Sequence, residues 1–135
     1  PDLALWDVSD VQFMGSMFRD CASFNVNISN WDVSNVTNMY WMFHEAFSFN
    51  QDISSWDVSS VTNMDYMFSI TTAPADPSSM TFDQDLSDWD VSNVTSATTF
   101  SKKAGGSGGD TQNDLGNWTA AEHPSNTLLG NFSAL

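Results

Sequence analysis

The stretch FNQDISSWDVSSVTNMDYMF, Phe49 to Phe68, decides the fold because most of it occurs again elsewhere in the chain. WDVS recurs at Trp6, Trp31, Trp56 and Trp89, with the first three tryptophans 25 residues apart. Val11, Val36, Val61 and Val94 follow each WDVS, then Met14, Met39 and Met64. The pairs Met17-Phe18, Met42-Phe43 and Met67-Phe68 come next, then Phe24, Phe49 and Phe82, and the unit closes on Ile28, Ile53 and Leu86. A period in this range is the signature of a stacked repeat array, in which no unit can bury its apolar face alone. Chemistry needs a catalytic group once, so a motif written four times reads as a building unit.

The longer gaps fit the same unit with insertions. SITTAPADPSSM, Ser69 to Met80, lengthens the third unit, and GGSGGD, Gly105 to Asp110, precedes a drifted copy at Trp118. Two regions follow: a repeat array over 1–100 and, over 101–135, a Gly-rich loop with a degenerate fifth repeat or cap.

Within a unit, the Val, Met, Met-Phe and Cys21/Ala46 positions recur at spacings of three and four, which predicts a helix. The serine of WDVS would cap it. Ile, Trp and Val around the aspartate alternate as in a short strand. The expected fold is therefore an α/β solenoid of leucine-rich-repeat-like plan, with one short parallel strand and one helix per repeat of about 25 residues. Cys21 stands where Ala46 stands one unit later, so it is expected to be a buried structural thiol.

The phrase Phe49–Phe68 closely resembles the bacterial surface-protein repeat of about 25 residues known from mycoplasma and Listeria lipoproteins. That repeat is related to BspA-like leucine-rich repeats and also occurs in microbial eukaryotes. The resemblance covers roughly residues 2–100 and implies a leucine-rich-repeat-like array displayed outside the cell. It carries over no catalytic residues.

Composition narrows the function. Seventeen Asp and Glu face three Lys and Arg, for a net charge of −14. That balance opposes nucleic acid, whose phosphates need basic neutralisation, and unassisted binding to anionic membranes. No apolar run approaches the roughly 20 residues of a membrane span, and no signal-peptide pattern is present. With a single cysteine there is no internal disulfide framework.

Four candidate sites remain. The aspartates Asp7, Asp32, Asp57 and Asp90 form a column, with a second at Asp2, Asp52, Asp85 and Asp114. Each carboxylate either closes an Asx turn onto its own backbone or joins a calcium ladder bridging neighbouring units. Five N-x-S/T sequons, at Asn27, Asn35, Asn93, Asn117 and Asn131, are glycosylation acceptors if the chain enters a secretory pathway. His44 and His123 have no second ligand at metal spacing and are expected at the surface. Thr37, Thr62 and Thr95 form a polar column, but Gln12 breaks the regularity an ice-binding face needs.

The expected function is a noncatalytic extracellular or cell-surface protein serving adhesion or assembly, with end-to-end stacking on copies of itself or contact with host or surface ligands. The alternative is a module that binds a protein or glycan through loops 70–80 and 104–110. An enzyme would have to draw on Asp110, Glu122 and His123.

Overall fold

Main-chain bonds in the computed structural model are of two kinds, local turns within a repeat and bonds from one repeat to the next, and together they define the architecture. It describes residues 2–70, 81–82, 84–98 and 100. Four rungs, begun by Trp6, Trp31, Trp56 and Trp89, stack through isolated parallel bridges at Phe13–Asn38, Asn38–Asn63 and Asn63–Ser96. A single 3₁₀ turn, Leu3–Leu5, precedes the first rung, with Asp2 accepting from the Ala4 N–H at 3.0 Å.

The expected helix and strand do not form. Among the described residues there is no α-helix and no strand longer than a bridge, so the α/β leucine-rich-repeat-like plan is wrong. Each rung is a succession of turns closed by bonds from an N–H to the carbonyl three residues earlier. In the first rung these are Val11 to Val8, Met17 to Met14, Cys21 to Phe18 and Phe24 to Cys21. The residues that open and close such turns lie three apart and share the inner side. Turn corners therefore reproduce the apolar spacing of a helix. That is why the periodicity misled.

Two features turn the chain away from the helix. Ser16, Trp41 and Tyr66 share one left-handed position (φ 61°, 55° and 56°), and Asp20 and Glu45 share another (60° and 55°). A left-handed residue every few positions cannot be accommodated in a right-handed helix. Asn38 and Asn63 also bind the backbone N–H two residues on, at 3.0 and 2.8 Å, a local bond that competes with helix formation.

The N–H groups left over reach the next rung. Met14, Ser16, Phe18 and Asp20 donate to the carbonyls of Asn38, Tyr40, Met42 and His44 at 2.8–3.0 Å. Met39, Trp41, Phe43 and Glu45 repeat the pattern onto Asn63, Asp65, Met67 and Ser69 at 2.8–3.1 Å. Buried backbone groups must be paired, and here the neighbouring rung pairs them.

The serine expected to cap a helix instead completes a turn with its aspartate. Each later tryptophan ties its rung to the one before. The indole N–H groups of Trp31, Trp56 and Trp89 donate to Leu3, Ile28 and Ile53 carbonyls at 2.8, 3.2 and 3.0 Å.

The core is one continuous cluster of the repeated Val, Met, Phe, Trp and Ile/Leu residues. Two phenylalanine columns run through it. Phe18, Phe43 and Phe68 stack at 5.6 and 5.3 Å between centroids, and Phe24, Phe49 and Phe82 at 5.7 Å each. Across the columns Phe18–Phe24, Phe43–Phe49 and Phe68–Phe82 lie 3.9, 4.1 and 4.4 Å apart. The near-parallel rings within each column, 5.3–5.7 Å apart, add about 0.5–1.5 kcal/mol per pair beyond their buried area.

Candidate functional site

The aspartate column sits at the start of each rung, on the solvent side. Asp7, Asp32 and Asp57 each accept from the backbone N–H of the serine two residues on (3.1, 3.1 and 3.0 Å) and from its hydroxyl (2.6 Å in each case). Asp90 accepts the Ser92 N–H at 3.0 Å. In the second column, Asp52 binds Ser54 through both donors, and Asp85 accepts the Ser87 N–H at 2.9 Å. Every one of these uses its Oδ1 to close an Asx turn. Among the described residues, the side chains that bring three ligand atoms within 4.8 Å of one another are Asp20, His44 and Glu45, not the aspartate column.

The turn bonds have an electrostatic consequence. The serine hydroxyl, then the serine N–H, hold Asp7, Asp32, Asp52, Asp57 and Asp90 below the ordinary aspartate range. A smaller opposing push reaches Asp32 from Asp7, and Asp57 from Asp90 and Asp32, so the column is close enough to feel its own charge. A carboxylate whose folded pKa is depressed contributes stability that is present above the unfolded value of about 3.9 and lost as pH falls through the folded value. The urea midpoint should therefore drop as pH is lowered below about 4. Ser59→Ala should make that acid limb shallower by removing the main donor to Asp57. An unchanged limb would mean the serine hydroxyls do not hold the carboxylates in solution.

Of the sequons, Asn27, Asn35 and Asn93 lie among the described residues and are exposed. Asn27 accepts the Ser29 N–H at 2.9 Å, while Asn35 and Asn93 donate their side-chain amides to the Ser9 and Ser59 carbonyls of the preceding rung at 2.9 and 2.7 Å. Asn117, Asn131, Asp114, Trp118 and the region 101–135 lie outside the described residues, as do loop 104–110, Asp110, Glu122 and His123. Of loop 70–80, only Ile70 is described, and it is 3% exposed, so the loop is entered from a core position. The threonines of the polar column are exposed, but Thr37, Thr62 and Thr95 spend their hydroxyls on preceding-rung carbonyls at 3.1–3.2 Å.

Two sequence expectations are reversed. Cys21 is exposed, whereas Ala46 at the equivalent place is fully buried. Cys21 belongs to the first rung, beside which the described residues place a rung on one side only. His44, expected at the surface, is 5% exposed beneath the edge where rungs one and two meet.

The outer side of the first rung is the largest departure from the internal repeats. Leu5, Trp6, Phe13, Met17 and Val26 are 81%, 47%, 58%, 36% and 41% exposed. Trp31 and Met42, the successors of Trp6 and Met17, are 4% and 0% exposed. The carbonyls of Phe13, Gly15, Met17 and Arg19 hold the places that Asn38, Tyr40, Met42 and His44 hold one rung later, and receive no donor among the described residues. Trp6 likewise lacks the preceding-rung carbonyl that Trp31 reaches. The row of acceptors thus holds the register of an internal rung junction, with Trp6 and Met17 exposed where Trp31 and Met42 are covered. Of the exposed residues the repeat pattern accounts for Trp6 and Met17; Leu5, Phe13 and Val26 are apolar where the next unit carries Asn30, Asn38 and Gln51. No helix among the described residues is long and apolar enough to cross a membrane.

Comparison with curated proteins and with solved structures returned no match. The profile of one protein family does match, over residues 1–118, and so spans all four rungs. The chain belongs to that family, described as Mycoplasma protein of unknown function, DUF285.

Proposed function

We propose that this chain is a noncatalytic structural and adhesion repeat protein of the bacterial surface-repeat, BspA-like type, acting outside the cell. It stacks end to end on copies of itself. The observation that carries the reading is the first described rung, where the carbonyls of Phe13, Gly15, Met17 and Arg19 receive no donor among the described residues and the repeat-core side chains Trp6 and Met17 are exposed. Such a face is a template for one more rung of the same kind. A contact that joins unlike ends propagates without closing, which gives filaments. Family membership supports the repeat-protein reading, and the polar residues of the repeat are engaged in turns and rung junctions, which fits a structural role.

The net charge of −14 opposes association, so assembly should increase with salt as repulsion is screened. Light scattering and electron microscopy on the purified chain are expected to show concentration-dependent elongated particles. The double variant Phe13→Asp/Met17→Asp places two charges on the outer face, at side chains already exposed, and should stay monomeric with its melting temperature nearly unchanged. Monomers of the parent chain at every concentration and salt level would remove assembly from the proposal.

A further inference from the structure

One side-chain cluster lies apart from the aspartate column and the outer face. Asp20, His44 and Glu45 place one ligand atom each within 4.8 Å of the others, at the junction of rungs one and two. The backbone brings them together. Asp20 and Glu45 occupy the same left-handed turn position of successive rungs, and the Asp20 N–H donates to the His44 carbonyl at 2.8 Å.

His44 is the informative member. It is 5% exposed, and its Nδ1 is buried without a hydrogen-bond partner. Asp20 Oδ1 lies 3.6 Å from that nitrogen, beyond hydrogen-bonding distance. Buried polar atoms are nearly always paired, and an orphan aimed at a carboxylate points to a missing third party. Arg19 fixes the carboxylate's direction: its Nε is 3.4 Å from Oδ2, and its guanidinium lies 4.0 Å from the centroid of the Trp41 ring. Oδ1 is thereby the oxygen left turned toward the imidazole.

We propose that Asp20, His44 and Glu45 bind one divalent transition-metal ion of the Zn²⁺ class. One imidazole nitrogen and two carboxylate oxygens suit such an ion, whereas Ca²⁺ and Mg²⁺ call for an all-oxygen shell. Ligand bonds of about 2.0–2.2 Å require the donors to stand roughly 3.5 Å apart, a short closure for carboxylates on flexible stems. The Asp20 side chain is 61% exposed, which gives the ion a path in and a water the fourth position. Bound there, the metal would tie rung one to rung two through side chains of both.

The test uses the full chain with Cys21→Ser, which removes an exposed thiol beside Asp20 as a competing ligand. Calorimetric titration of chelator-treated protein with Zn²⁺ should give one site per chain, with equal concentrations of Ca²⁺ or Mg²⁺ failing to compete. Asp20→Asn/Glu45→Gln, which leaves the buried His44 in place, should weaken Zn²⁺ binding at least tenfold, and His44→Asn should do the same. Zn²⁺ should raise the melting temperature of the Cys21→Ser chain and not that of the double carboxylate variant. Absence of stoichiometric Zn²⁺ uptake, or uptake equal in the double variant, would overturn the site.

Discussion

Replacing Phe43 by alanine is expected to lower the unfolding free energy by about 3–5 kcal/mol. Phe43 is fully buried and stands at the crossing of the aromatic lattice, 5.6 Å from Phe18, 4.1 Å from Phe49 and 5.3 Å from Phe68. Truncation there removes the apolar transfer energy and leaves a cavity between two rungs. The rungs are pinned on both sides by main-chain bonds, so they have little freedom to close over it. Against a total stability of about 5–15 kcal/mol typical of native domains, a loss of that size would leave a chain close to its unfolding threshold. Phe13→Ala supplies the control within the same molecule. Phe13 is 58% exposed and meets Tyr40 edge to face at 5.6 Å, so its loss should cost no more than about 1 kcal/mol. Equal effects at the two positions would contradict the stacked core.

The second large effect is expected at a turn. Ser16 has φ of 61° and donates its N–H to the Tyr40 carbonyl at 2.9 Å. Proline fixes φ near −65° and has no N–H, so Ser16→Pro should cost about 3 kcal/mol or more. Ser16→Gly should instead be near neutral, within about 1 kcal/mol, because glycine enters the left-handed region without steric cost. The glycine variant carries the discrimination. In a helix interior glycine would be destabilising; in this turn it relieves the backbone. Thermal melts of the two variants read both effects.

Much of the molecule is legible in its sequence. The spacing of Trp, Val, Met and Phe identifies the core, and Trp31, Val33, Met39, Met42, Phe43 and Phe49 are buried as the columns require. The choice of local conformation is not legible from spacing, because turns closed three residues apart repeat the apolar intervals of a helix. The distinguishing signals were present in the polar residues: Asp-x-Ser at each rung start, and Asn38 and Asn63 ahead of the Met pairs, are turn formers. Cys21 and His44 show what a single unit cannot convey. Their burial depends on which rungs lie beside them, so equivalent positions in the repeat are not equivalent in the stack. The Asp20, His44 and Glu45 grouping could have been found by writing the repeats one beneath another, where Asp20 falls above Glu45 beside His44.

The central claim is that the chain is a stack of turn-built rungs whose backbone is paired from rung to rung. The Trp41 amide tests it most directly, since it donates to the Asp65 carbonyl at 2.8 Å. An NMR scalar coupling across that hydrogen bond, from the Trp41 nitrogen to the Asp65 carbonyl carbon, is the predicted result. A coupling from the same nitrogen to the Thr37 carbonyl carbon, the partner an α-helix would supply, would contradict the account.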